Sequence, residues 1–232
     1  EVLRTAKMAF EGGGTQMKLY FMLGLPTEAD EDVLAIITLA QKVVDLFYSL
    51  PGRPKGKGVQ VTISVACFVP KPFTPFQFEP QDTMEEFRRK QRLLLDTVTS
   101  KKIRVNYHDA ATSRLEAVLA RGDRRLCDAV EEVWRQGGNL EGWDQYFSMD
   151  RWTAAFAKYG VDPDFYATRR RPYDEVMPWD HLDYGVSKDF LVREDKRAGE
   201  SRAIPNCRER CAACGANCLI GGACFEDAAG VL

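Results

Sequence analysis

Apolar and polar positions along the first half of the chain alternate between two periods. Glu1 to Phe10 reads as the end of a helix that Gly12, Gly13 and Gly14 stop, because glycine is favoured where a chain leaves a helix. Met17 to Gly24 is a short, mostly apolar run, which predicts a buried strand. Leu25-Pro26-Thr27 turns the chain. Apolar residues then recur at Val33, Ile36, Ile37, Ala40, Val43, Val44 and Phe47, predicting a helix from about Glu28 to Tyr48. Thr27 with Asp30 resembles a capping box, and Glu28, Asp30, Glu31 and Asp32 suit the positive end of that helix. A basic Gly/Pro-rich connection from Pro51 to Gly58 leads to a second strand, Val59 to Phe68, rich in β-branched residues. The segment from Pro70 to Phe76 is too dense in proline for a helix or a central strand. A helix from Thr83 to about Thr99 and a strand from Ile103 to Tyr107 follow.

Strand, helix, strand, helix, strand predicts a parallel α/β sheet. Three strands alone leave edges and faces to be covered, so further strands are expected before Glu1. From Asp109 the pattern is helical: Thr112 to Ala120, Leu126 to Arg135 and Met149 to Tyr159. Asp162-Pro163, Arg171-Pro172 and Met177-Pro178 then interrupt it before a last helix, Ser187 to Ala198. Three regions are expected: 1–108 carrying the sheet, a helical extension 109–199, and a short polar tail 200–232.

Composition places the chain among globular proteins: 232 residues, 45% hydrophobic and 28% charged. Lys plus Arg total 32 against 34 Asp plus Glu, a formal charge of −2, so no global basic field draws it to nucleic acid. Val33 to Leu50, the longest apolar stretch, is interrupted by Gln41, Lys42 and Asp45, and no membrane association is expected. The opening EVLRTAKMAF has no signal-peptide pattern, begins without Met, and reads as a chain cut from something longer. Of seven cysteines, Cys207, Cys211, Cys214, Cys218 and Cys224 crowd into the tail. Clustered thiols without a secretory signal predict metal or Fe–S ligands in a reducing, cytoplasmic setting.

Met17-Lys-Leu-Tyr-Phe-Met-Leu-Gly-Leu-Pro-Thr-Glu-Ala-Asp-Glu-Asp32 resembles the fifth strand and following helix of radical S-adenosylmethionine barrels. Val61 to Phe76, with its Pro70-Lys-Pro-Phe-Thr-Pro75 turn, resembles their sixth strand. His108 to Glu116, Ala120 to Arg125, Gly142-Trp143 and Pro178 to Leu191 are similar to one subgroup of uncharacterised members, which often carry a cobalamin-binding-like N-terminal domain and end in a comparable cysteine motif. The resemblance implies the C-terminal portion of a partial (β/α) barrel over 1–108, followed by the helical extension and the Cys-rich tail. It implies reductive cleavage of S-adenosylmethionine at a [4Fe–4S] cluster, giving a 5′-deoxyadenosyl radical that abstracts hydrogen from an unknown small-molecule or RNA substrate. An electron donor such as a flavodoxin or ferredoxin, and cobalamin held by a missing N-terminal domain, belong to the same implication. Carried over, the cofactor-binding positions are Phe21, Met22, Leu23, Gly24, Glu28, Cys67, Phe68 and Val69. The family's cluster-binding Cys-x-x-x-Cys-x-x-Cys loop follows the first barrel strand and has no counterpart here, so this chain alone is not expected to cleave the cofactor.

Cys207-x3-Cys211-x2-Cys214 has the spacing of that loop but too little chain after it to build a barrel. With Cys218 it supplies four thiolates, enough to close a tetrahedral zinc site or hold an Fe–S cluster, and Cys224 stands in reserve. A filled four-Cys site leaves no open coordination position, which suits a structural or electron-transferring role. His108, after the third strand, is the candidate acid, base or ligand, set against a histidine satisfied locally. His181, among Trp179, Asp180 and Asp183, is a weaker candidate of the same kind. Arg121, Arg124 and Arg125 read as anion forks or as solvated helix-end charges. Arg169, Arg170 and Arg171 with Tyr166 and Tyr173 give the competing reading, a metal-stabilised RNA- or protein-binding module without catalysis. Trp134, Trp143, Tyr146, Phe147, Trp152, Phe156 and Tyr159 are expected to pack helices together, and Cys67 and Cys127 to be small buried hydrophobes.

Overall fold

A computed structural model of the chain describes residues 1–53, 56–221 and 224. Part of the predicted basic connection and most of the last ten residues lie outside the described residues. The chain forms two compact units, one of residues 1–68 and 82–114, the other of residues 69–81 and 115–232.

The first unit is the α/β one. Helix α1 (Val2–Glu11) precedes strand β1 (Gln16–Leu23), helix α2 (Asp30–Ser49), strand β2 (Gln60–Cys67), helix α3 (Met84–Thr97), strand β3 (Ile103–Tyr107) and helix α4 (Ala110–Ala120), inside which the boundary between the units falls. The strands pair in parallel in the order β1-β2-β3, in an open sheet. Strand alternation puts Leu19, Leu23, Val61, Ile63, Val65, Cys67 and Ile103 into one core with Val33, Ala40, Val43 and Phe47 of α2. Phe47 meets Phe10 of α1 edge to face, ring centres 5.2 Å apart. Burying such a ring contributes about 3 kcal/mol relative to alanine.

Helix α2 begins two residues later than the sequence suggests. Thr27 sits in the left-handed region at φ 69° and does not cap it. Asp32 instead reaches back to accept the Ala29 amide at 2.9 Å, and Asp30, Glu31 and Asp32 occupy the first turn. Helix α3 is capped as expected, the Thr83 hydroxyl accepting the Glu86 amide.

The second unit is helical. It contains α5 (Cys127–Arg135), α6 (Met149–Lys158), α7 (Pro163–Ala167), α8 (Lys188–Gly199) and α9 (Asn217–Ile220). One cluster joins Val69, Leu115, Val118, Val133, Trp152 and Phe156; another joins Phe78, Met177, Trp179, Phe190 and Leu191. Only part of the aromatic stretch is core. Trp152 and Phe156 are buried, whereas Trp134 and Trp143 are more than 60% exposed, and Tyr146 and Tyr159 also face outward. Cys127, the first residue of α5, is likewise exposed rather than buried, while Cys67 is buried. Among the described residues no helix is long and apolar enough to cross a membrane.

Candidate functional site

The parallel ladder aligns the C-terminal ends of the strands. Leu23 of β1 pairs with Cys67 of β2, and Val65 of β2 with Tyr107 of β3. The Phe68 amide donates to the Leu23 carbonyl at 2.7 Å and the His108 amide to the Val65 carbonyl at 3.0 Å, carrying the pairing one step past each strand. The ends of parallel strands in α/β folds are where ligands bind.

Among the described residues, helices cover one face of the sheet and leave the other exposed. On the second face, register places Lys18, Thr62 and Arg104 in one row, Tyr20, Ser64 and Asn106 in the next, and Met22 beside Ala66 at the C-terminal end. None of these is buried, and Tyr20 is 73% exposed. His108 follows Tyr107, just past the end of β3, and its side chain is exposed.

Behind the strand ends lies a compact polar support. Gly24 leaves β1 at φ 81°, and its amide donates to Glu28 Oε1 at 2.9 Å. A side chain at position 24 would strike Phe87 at 2.6 Å and Asp82 at 2.9 Å, so the close approach requires glycine. Lys90 of α3, its side chain 6% exposed, bonds both Glu28 Oε1 and Asp82 Oδ2 at 2.8 Å. Burial pulls its pKa down, but the bonds to Asp82 and Glu28 outweigh burial and leave it raised. Next to it, Gln91 Nε2 donates to the His108 carbonyl at 2.9 Å and lies 3.7 Å from Cys67 Sγ. Arg89 binds Asp30 and Glu86 at the surface, and its hydrogen bonds hold both carboxyls below their ordinary values.

The residues carried over as cofactor contacts thus divide. Met22 is exposed and Phe21 half-buried. Leu23, Gly24, Cys67 and Phe68 are buried. Glu28 is committed to Gly24 and Lys90, which gives it a supporting part. Val69 belongs to the second unit, in the cluster with Leu115 and Trp152. Lys90 and Gln91 were not singled out from the sequence. Their signal was present: they sit at i+3 and i+4 from Phe87 and before Leu94, polar residues on the buried stripe of α3.

In the second unit the arginines are structural. Arg121, fully buried, donates to the carbonyls of Ala167 at 2.8 Å and of Gln77 and Arg169 at 3.4 Å. Burial, then the nearby charges of Arg171 and Arg169, lowers its pKa to about 9, leaving it charged at neutral pH. Arg171, also buried, donates to the Arg121 carbonyl at 2.7 Å and lies over Trp179. Arg169 forks onto Glu175, and Arg170 bonds Glu79, Tyr173 and Asp195. Arg125 pairs with Asp123, whose carboxyl that hydrogen bond lowers to about 2. All three members of the Arg169–Arg171 run are engaged inside the unit. His181 lines a hollow with Trp179, Asp180, Asp183 and Tyr184.

The tail cysteines Cys207, Cys211, Cys218 and Cys224 are exposed and Cys214 half-buried. Among the described residues, no three His, Cys, Asp or Glu side chains are gathered into a group able to hold a metal ion. Two sulfurs nevertheless accept backbone hydrogens: Cys211 Sγ from Ala213 and Cys214 Sγ from Ala216, each at 3.4 Å.

No protein-family model matches the chain, and no solved structure matches it significantly. Among curated proteins, a protein of Methanocaldococcus jannaschii described as uncharacterized is 32% identical over 161 residues. The match takes in 69% of this chain and 33% of that protein, so the chain spans about a third of its relative's length.

Proposed function

We propose that this chain is the C-terminal part of a radical S-adenosylmethionine enzyme, contributing three barrel strands and part of the cofactor and substrate wall. The observation that carries the reading is the parallel β1-β2-β3 order with strand ends aligned at Leu23 and Cys67, one face packed on helices and the other open. In this reading the open face is the barrel interior, and Lys18, Thr62, Arg104, Tyr20, Ser64 and Asn106 line it. Met22 and Ala66 form an apolar bed for an adenine at the strand ends, since a flat base needs apolar walls and few polar contacts. Glu28, Lys90 and Asp82 hold the Gly24 turn rigid beneath that bed. His108, exposed beyond the end of β3, is placed to hold or move a proton.

S-adenosylmethionine, when bound and reductively cleaved, supplies a radical for hydrogen abstraction. The residues present fit the adenine end of that cofactor and not the catalytic cluster. The sheet unit's one cysteine, Cys67, is buried and lies within hydrogen-bonding distance of the His108 carbonyl and Gln91. The cluster thiolates, and any cobalamin, belong in this reading to other parts of a longer protein, as does the docking of a flavodoxin or ferredoxin.

The competing reading, a binding module without chemistry, draws on the exposed apolar surface of Leu119, Val130 and Trp134 and not on the Arg169–Arg171 run. Anaerobic reconstitution of the full-length protein with iron and sulfide separates the two. Release of 5′-deoxyadenosine that requires both reductant and S-adenosylmethionine supports the enzyme. A filled cluster with no release, together with salt-independent capture of a protein partner, supports the module.

A further inference from the structure

The hollow beside His181 lies wholly within the second unit and measures about 320 Å³, within the size range of small-molecule sites. Phe73, Trp179 and Tyr184 supply its aromatic wall. The Phe73 ring centre lies 4.3 Å from that of Tyr184 and 6.5 Å from that of Trp179. Phe73 stands at φ 62°, a conformation that bulky side chains rarely adopt, so its surroundings hold the ring in place.

Two residues lining the hollow carry a polar group without a partner. Gln77, 2% exposed, accepts Trp179 Nε1 at 2.7 Å and the Phe73 amide at 3.2 Å, both on Oε1. Two donors on one oxygen fix which way the amide points. Its Nε2 hydrogens reach no acceptor among the described residues. Tyr184 Oη is buried and has no hydrogen-bond partner among them either. Burial, then the charge of Asp180, raises the pKa of this phenol, so it keeps its proton at neutral pH. Folded proteins leave few such groups unmatched, and both of these ask for an acceptor. Asp180, His181 and Asp183, which also line the hollow, are exposed. Asp180 Oδ2 accepts Lys188 Nζ at 2.7 Å and the Met177 amide at 3.0 Å. Asp183 accepts the Gly185 amide on Oδ1 and pairs with no cation among the described residues, which leaves it the freer acceptor.

A ligand matched to this arrangement is flat, has two acceptors on one edge for the buried donors, and has an amino group on another edge for the exposed carboxylate. Guanine has that pattern: N7 and O6 accept on one edge, and the N2 amino group donates on the opposite one. Adenine places its amino group on the same edge as N7, where the Gln77 donors stand. We propose that the hollow binds a guanine base, with O6 and N7 taking the Gln77 Nε2 and Tyr184 Oη hydrogens, the N2 amino group donating to Asp183, and the ring lying against Phe73. A phosphate would bring negative charge to an edge that already carries Asp183, and Lys188 is engaged by Asp180 and the Glu175 carbonyl. The ligand is therefore the free base or its nucleoside and not the nucleotide. The site goes beyond the sheet's proposed cofactor chemistry and is independent of it.

The test is a calorimetric titration of the chain with guanosine. One equivalent is expected to bind. Inosine, which lacks the N2 amino group, and guanosine 5′-monophosphate should each bind about tenfold more weakly. Tyr184→Phe should weaken guanosine binding about tenfold without lowering thermal stability, because the hydroxyl it removes has no partner to lose. Asp183→Asn keeps the Oδ1 that the Gly185 amide uses, and should weaken guanosine while leaving inosine unchanged. Ala66→Leu, on the sheet, should alter neither. Absence of guanosine binding, equal affinity for inosine, a monophosphate that binds as tightly or more tightly, affinity that survives Tyr184→Phe, or binding lost with Ala66→Leu each overturn the proposal. 5′-Deoxyadenosine release plays no part in this readout, so the failure of this site and that of the enzyme reading are distinguishable.

Discussion

The two units bury cations in opposite ways. In the sheet unit, Lys90 is buried between two carboxylates, Glu28 and Asp82. In the helical unit, the Arg121 hydrogen bonds run to main-chain carbonyls. The difference follows from what each backbone leaves unsatisfied. Parallel strands consume their own carbonyls in the ladder, so a buried cation there needs charge, and the carboxylates at the strand-end turn supply it. The segments around Gln77 and 167–171 have no ladder, and a guanidinium with five N–H donors serves several main-chain carbonyls at once.

Lys90→Met should be the most costly substitution. It strands the buried Glu28 carboxylate and the half-buried Asp82 one, and should destabilise the sheet unit by about 3 kcal/mol, read as lost exchange protection in β1 and β2. Adding Glu28→Gln and Asp82→Asn should restore much of that loss. If Lys90→Met alone is neutral, the cluster is not a supporting element. Arg121→Leu comes next. It removes the guanidinium donors from the Gln77, Ala167 and Arg169 carbonyls, of which Ala167 keeps the Gln81 amide, with an expected cost of about 2–4 kcal/mol in denaturant unfolding. Arg121→Lys should recover only part, because an ammonium cannot reproduce the fork. Full recovery by lysine would mean that charge, not donor geometry, is what the site needs.

The smallest effect is at Asp123. Its folded pKa, about 2, lies below the ordinary 3.8 because Arg125 bonds the carboxylate. A depressed acid stabilises the fold above its unfolded value and loses that contribution as pH falls through its folded one. Asp123→Asn should therefore cost about 1 kcal/mol at pH 7, discounted because Arg125 is exposed, with the cost shrinking as pH falls toward 2 and vanishing below it. Thermal unfolding across that range checks the sign; a penalty that persists in acid would place the effect in packing.

The regular elements were legible because period carries them. The strands from Gln16, Gln60 and Ile103 and the helices between them fall within a few residues of their predicted bounds. Gly24 entered as a carried-over cofactor position; its missing side chain instead makes room for Phe87 and Asp82. Long-range polar contacts were not legible. Nothing near Arg121 in the chain announces Gln77 or Ala167, more than forty residues away in either direction. Trp134 and Cys127 failed differently: both types are buried on average, but their positions on α5 face outward. The candidate site stood between these cases, with the strand ends readable and the Lys90 support beneath them unread.

In the proposed enzyme, Met22 and Ala66 form the cofactor's bed at the ends of β1 and β2. Equilibrium binding of S-adenosylmethionine to the reconstituted full-length protein tests it, comparing the parent with Ala66→Leu, a change on the open face that leaves the packed face alone. Binding is expected to weaken about tenfold, some 1.4 kcal/mol, with unchanged thermal stability. Equal affinity in the two proteins would contradict it.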